Sequence, residues 1–317
     1  MKSNAFILLM VVVTLSLLFA GIAMAQDMSS ASQPTTAPAV ATDSPAATRD
    51  GELRILLPLL AVGMVLLIVW IVRRAKSPGS LSLRDAPPRP NRLTPLHVFG
   101  PFAVFFLLTL PATLPSVRNY EYGELLVTLL SQVGWVAATL LTVAWTFPHG
   151  LRGLGLTLHH GRSDTARAVV TLLAVLPVVV GVLLLSGLLV EWAIHHGLMA
   201  PESNRRNVML DRLQTVGALG KALIVISAVV LAPLAEELFF RGLLQSTLRN
   251  YLPPWGAIVV SSVLFALVHI AAIRDVLPLL PLAVVLGYAY ERHGRLTGPI
   301  VIHALFNAIM LTAALTA

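Results

Sequence analysis

Apolar residues run through this chain in long blocks, separated by short polar or proline-rich breaks. Blocks of about 20 apolar residues are long enough to cross a bilayer as helices. The first is Ala5 to Leu18, behind Lys2 and ahead of Ala23-Met24-Ala25, which reads as a secretory signal over 1–25 with an A-x-A cleavage site. Residues 26–50, rich in Ser, Thr, Ala and Pro, read as an extracytoplasmic linker. Leu53 to Val72 is an extra span, and Arg73, Arg74 and Lys76 mark its cytoplasmic end. A Pro- and Arg-bearing cytoplasmic linker, 77–96, follows, and its arginines are assigned to topology alone. Further spans are expected at 97–115, 124–147, 168–191, 221–246, 255–273, 276–291 and 298–317. The fold class is therefore all-α: a polytopic membrane helix bundle of about eight transmembrane helices after a signal peptide. Its divisions are the extra helix and basic linker at 51–96, accessory helices at 97–220 and a helix core at 221–317.

Composition agrees. The chain is 56% hydrophobic and 12% charged, well below the roughly one-quarter charged residues of soluble domains. Its net charge of +7 would suggest nucleic acid in a soluble protein. Here the arginines cluster beside span ends, as the positive-inside rule describes, so no nucleic-acid partner is expected and the bilayer is. Absence of cysteine excludes disulfides, thiolate metal sites, a cysteine nucleophile and a lipidated cysteine.

Chemistry enters where charge breaks an apolar block. Glu236 and Glu237 lie inside the 221–246 span. A charged side chain at mid-bilayer costs about 2.5–3.5 kcal/mol even on lenient scales, so it is read as functional and given a partner. Glu237 and Arg241 are four apart and share a helix face, so they pair. Glu236 is rotated about 100° away and is left for chemistry. Pro233, one turn earlier, reads equally as a kink that opens room beside the acid and as ordinary bending of a membrane helix. His269, after Phe265, is polar in an otherwise apolar block; alone, it reads as a packing residue as readily as a catalytic one. His303 and Asn307 are one turn apart on one face; alone, they serve equally as helix glue. Together these residues supply what intramembrane peptide hydrolysis requires. A carboxylate takes a proton from water, imidazoles orient that water or bind a metal, and an amide or neutral imidazole donates to an oxyanion. By helix rise, Glu236 and His269 sit at matching depth, about 20 Å in, whereas His303 is shallower, about 8 Å in.

Glu236-Glu237-x-x-x-Arg241, Phe265-x-x-x-His269 and His303-x-x-x-Asn307, in that order on separate helices, resemble the CPBP family. These are the CAAX-protease and bacteriocin-processing (Abi) intramembrane metalloproteases, which include the type II CAAX prenyl endopeptidases. The resemblance covers about residues 221–317. It implies that Glu236 activates water, His269 positions it, and His303 and Asn307 stabilise the oxyanion, with Glu237, Arg241 and Phe265 in support. If a divalent metal such as zinc takes part, Glu236, His269 and His303 are the implied ligands. The implied partner is a membrane-associated peptide or protein, and the implied location is a bacterial cell membrane. The signal, linker and extra span are departures from the family core. Other membrane-protease signatures, His-Glu-x-x-His among them, are absent. The competing readings are a non-catalytic immunity or scaffold protein of the same fold, and a transporter with a buried Glu/His/Arg path.

Overall fold

The computed structural model describes residues 45–77, 81–156, 161–200, 212–213, 215–270 and 273–316. The expected signal peptide and most of the expected linker lie outside these residues. Among the described residues the chain is all helical, without strands. Eight principal helices form the bundle: α1 (Pro45–Ala75), α2 (Pro95–Thr109), α3 (Gly123–Thr146), α4 (Gly161–His195), α5 (Ala218–Leu248), α6 (Pro254–Leu267), α7 (Ile273–His293) and α8 (Thr297–Thr316). Seven of them are long and apolar enough to cross a membrane. The exception is α6, which stops at Leu267 instead of continuing to 273 as expected. α1 begins at Pro45, inside the stretch expected to be linker.

Packing ranks the helices. Only 6% of the α1 span is buried, against 33% for α7 and for α8, so α1 is a peripheral helix. It leans on α4 at Gly63, where a Cβ would collide with the Leu173 carbonyl and the Pro177 ring. Small residues let membrane helices approach this closely, and packing is the main force between apolar helices in lipid. The core lies around α5. Leu238, Phe239, Phe240, Leu243 and Leu244 of α5 are buried with Trp135 of α3, Phe265 of α6 and Ala283 of α7. Phe105, Trp135 and Phe239 form a ring ladder with centroids 4.5 and 5.0 Å apart, joining α2 and α3 to α5.

The 77–96 linker is not merely a tether carrying topological charge, a correction to the sequence reading. From Leu81 it lies as a strap across one end of the bundle. Leu83 and Leu93 are buried. Arg89 is nearly enclosed, pairs with the buried Glu291 of α7 and sits 4.2 Å over the Tyr290 ring. Arg249 meets the other Glu291 oxygen at 2.7 Å, and Gln245 donates to Glu291 at 3.2 Å. Asn250 of the α5–α6 turn donates to Asn91 and to the Leu93 carbonyl, and Trp255 reaches the Leu81 carbonyl. One acid thus gathers two arginines, because a buried carboxylate must have its lone pairs met.

Candidate active site

α5 is not a uniform helix. Two α-helical turns, Ala218–Val225, lead into a π-wound stretch at Ile226–Leu231. An α stretch, Ala232–Glu237, precedes a second π-wound stretch at Leu238–Gln245. The two glutamates therefore end a short α segment held between two wide turns. π-Turns are rare and gather at functional sites, since they redirect side chains and free carbonyls. The sequence supplies the reason for the first one. A π-wound carbonyl looks five residues ahead for its N–H, and five after Ala228 stands Pro233, which has none. Asn307 of α8 fills the gap, its Nδ2 donating to the Ala228 carbonyl at 2.8 Å.

Glu237 and Arg241 are both fully buried, and Arg241 Nε donates to Glu237 Oε2 at 3.1 Å, as the four-residue spacing predicted. The other carboxylate oxygen is also taken. His303 Nδ1 lies 3.0 Å from Glu237 Oε1. An ionised carboxylate only accepts, so Nδ1 carries the proton of that bond and Nε2 faces away from it. Nε2 lies 3.8 Å from Glu236 Oε2. That is too long for a hydrogen bond. Glu236 is the more open of the two acids, its side chain 18% exposed against none for Glu237. The braced acid and the free acid are thus divided as the sequence suggested, and His303 spans them.

Phe265 is the hub beneath this array. It is fully buried, and its ring meets Phe240, His269 and His303 at 5.1, 5.1 and 5.6 Å. The Arg241 guanidinium stands 5.2 Å over the same ring. Among the described residues both terminal nitrogens of Arg241 are buried without a hydrogen-bond partner, and the ring face meets that end of the cation.

His269 sits differently from the expectation. It follows the end of α6 in a turn rather than lying within a span. Its Nδ1 donates to the Phe265 carbonyl, four residues back, at 2.9 Å. That bond meets one of the carbonyls a helix end leaves open, and it leaves Nε2 free. Among the described residues His269 has no hydrogen bond to Glu236 or His303. Nor do any three His, Asp or Glu side chains there form a group able to hold a metal ion. Each imidazole is held through Nδ1, by the Phe265 carbonyl and by Glu237, which leaves Nε2 of both His269 and His303 as the nitrogens that would ligate a metal together with Glu236.

The depth mismatch read from helix rise does not survive, since Glu236 and His303 lie at one level. α5 has 31 residues, about 46 Å of helix, and outruns the roughly 30 Å hydrocarbon layer. Its end is not a membrane plane from which depth can be counted.

Sequence reading missed a contact from outside the core. Ser227, in the first π stretch, donates to Gln132 Oε1 of α3 at 3.1 Å, and both are buried. The available signal was a carboxamide in the middle of an apolar span.

Residues 218–309 match a family model described as type II CAAX prenyl endopeptidase Rce1-like. This segment is similar to that family. The resemblance to the CPBP family thus has independent support, and the matched segment carries every motif residue named above. Two curated relatives agree in extent. UPF0177 protein YbdI of Lactococcus lactis subsp. lactis (strain IL1403) is 31% identical over 88 residues, 28% of this chain and 47% of the relative. UPF0177 protein YaiF of the same strain is 36% identical over 81 residues, 26% of this chain and 36% of the relative. The chain spans less than half the length of either. No solved structure matches. The helices before the Rce1-like segment, α1 to α4, lie outside the match.

Proposed function

We propose that the protein is an intramembrane endopeptidase that hydrolyses a peptide bond in a membrane-associated peptide or protein. The observation that carries this reading is the gap between Glu236 Oε2 and His303 Nε2, 3.8 Å across, with the imidazole fixed from behind by Glu237. One water can touch both groups from the side at ordinary hydrogen-bond distance. Glu236 takes a proton from that water as its oxygen bonds to the scissile carbonyl carbon. Glu236 then returns the proton to the leaving nitrogen as the C–N bond breaks. His303 holds the water and keeps its tautomer because Glu237, itself braced by Arg241, occupies Nδ1. The oxyanion falls to the second amide hydrogen of Asn307, whereas His269, with its proton on Nδ1, offers Nε2 as an acceptor and helps to position the water. This moves His303 from oxyanion donor, the role implied by resemblance, to partner of the acid. A divalent metal, if bound, would supply Lewis-acid activation of the same water. The motif residues support a bacterial cell-membrane enzyme of CPBP type acting within the bilayer.

Purified protein in detergent, offered a quenched peptide library that includes a prenylated C-terminal CAAX peptide, tests the proposal. Wild type, Glu236→Gln, His303→Gln and His269→Ala run in parallel, each with and without a chelator. Cleavage by wild type alone supports the proposal, and loss on chelation assigns a metal to it. Equal cleavage by all four proteins refutes it. Folded wild type that binds partners but cleaves none of the library, in membranes as in detergent, favours the scaffold reading.

A further inference from the structure

A second polar constellation lies apart from the site, at the bundle end that carries the strap. Where α4, α7 and α8 converge there is a small open recess of about 30 Å³. Its rim holds Asp164 and Arg167 of α4, His293 of α7, and Arg295 of the α7–α8 turn; Ile302 and Pro299 belong to its apolar floor. The charges do not balance. Asp164 is nearly buried, and both of its oxygens accept from Arg295, at 2.8 Å each. That fork-to-fork pair saturates the acid. Arg167 therefore meets Asp164 only loosely, at 3.8 Å, and remains 57% exposed. His293 faces the same recess without a hydrogen-bond partner among the described residues. One guanidinium more than the acid neutralises is thus held over an apolar floor at the end of a membrane bundle.

We propose that this recess binds a phosphate group, either the headgroup phosphate of an anionic phospholipid or free inorganic phosphate. Arg167 would take the phosphate oxygens, His293 would donate a second bond, and Arg295 would stay locked to Asp164 as the wall. The apolar floor suits the glycerol and first acyl carbons of a lipid better than a bare ion. Basic pockets between spanning helices near the membrane surface take lipid headgroups in this way. The inference is independent of the peptidase reading.

Thermal unfolding of the full protein in detergent, followed by tryptophan fluorescence, tests it. The probes are dihexanoylphosphatidylglycerol, dihexanoylphosphatidylcholine and inorganic phosphate, each titrated in turn. The phosphatidylglycerol is expected to stabilise at concentrations at least about tenfold below the phosphatidylcholine. Arg167→Glu changes two charges at an exposed side chain, so its midpoint should rise about thirtyfold. Arg84→Glu, the same change at an exposed arginine of the strap, should leave it unmoved. Inorganic phosphate acting as well as the lipid, with the same Arg167 dependence, supports the site and assigns it to the free ion. Equal responses to the two lipids, or equal losses in Arg167→Glu and Arg84→Glu, overturn it.

Discussion

Glu237→Gln is the sharpest structural test of the buried core. Glu237 and Arg241 are wholly enclosed, with Arg241 Nε 3.1 Å from one carboxylate oxygen and His303 Nδ1 3.0 Å from the other. Gln keeps the shape and one acceptor but removes the charge. Arg241 cannot respond by losing its proton. Among the described residues its terminal nitrogens have no hydrogen bond, so the Phe265 ring and the more distant Glu236 charge would be left to support the cation. Removing one partner of a buried pair costs about 3–5 kcal/mol, and the ring contact, already made in the wild type, offsets none of it. The single variant should therefore lose about 3–5 kcal/mol. Glu237→Gln with Arg241→Met removes both charges and should be more stable than Glu237→Gln alone, with a coupling of about 2 kcal/mol in the double-mutant cycle. Urea or mixed-micelle unfolding of the four proteins measures it. A coupling below about 0.5 kcal/mol, or a double variant no better than the single, would show that the pair is not what the buried acid rests on.

Three further outcomes follow from the same geometry. Asn307→Leu leaves the Ala228 carbonyl without its donor and should cost about 1–3 kcal/mol; adding Pro233→Ala, which restores an N–H, should recover part of that in the same unfolding assay. Phe265→Leu removes the ring under Arg241 and beside both imidazoles, lowering stability by about 1–3 kcal/mol and broadening the His269 and His303 side-chain NMR signals. Arg89→Ala frees the strap from Glu291 and Tyr290; limited proteolysis should then cut between 81 and 94 at least about tenfold faster, while α5 stays protected.

Much of this was written in the apolar blocks. α3, α5, α7 and α8 begin and end within a few residues of the expected limits, because lipid forces every backbone group into helix. α6 was misjudged because Val268, Ile270, Ala271 and Ala272 continue the apolar run past the helix end, and hydropathy cannot see a turn closed by a histidine bonding four residues back. Spacing revealed the Glu237–Arg241 pair, since four residues on one helix is a local relation. The bond from His303 to Glu237 was hidden because it crosses 66 positions and depends on how α8 lies against α5. For the same reason Asn307 could be assigned to a helix face but not to the Ala228 carbonyl. The strap was read as topology because its arginines follow a span end, and nothing local ties Arg89 to an acid 202 residues away.

The central claim is that Glu236, 3.8 Å from His303 and sharing a water that touches both from the side, is the group that activates water. The decisive measurement is the rate of cleavage by wild type and Glu236→Gln in liposomes, on one peptide found by the library, with unfolding recorded on the same samples. The account predicts equal unfolding midpoints, because Glu236 is not part of the buried pair, and a rate lower by about 10²–10⁴-fold. A Glu236→Gln variant that unfolds like wild type and cleaves within about threefold of its rate would contradict it.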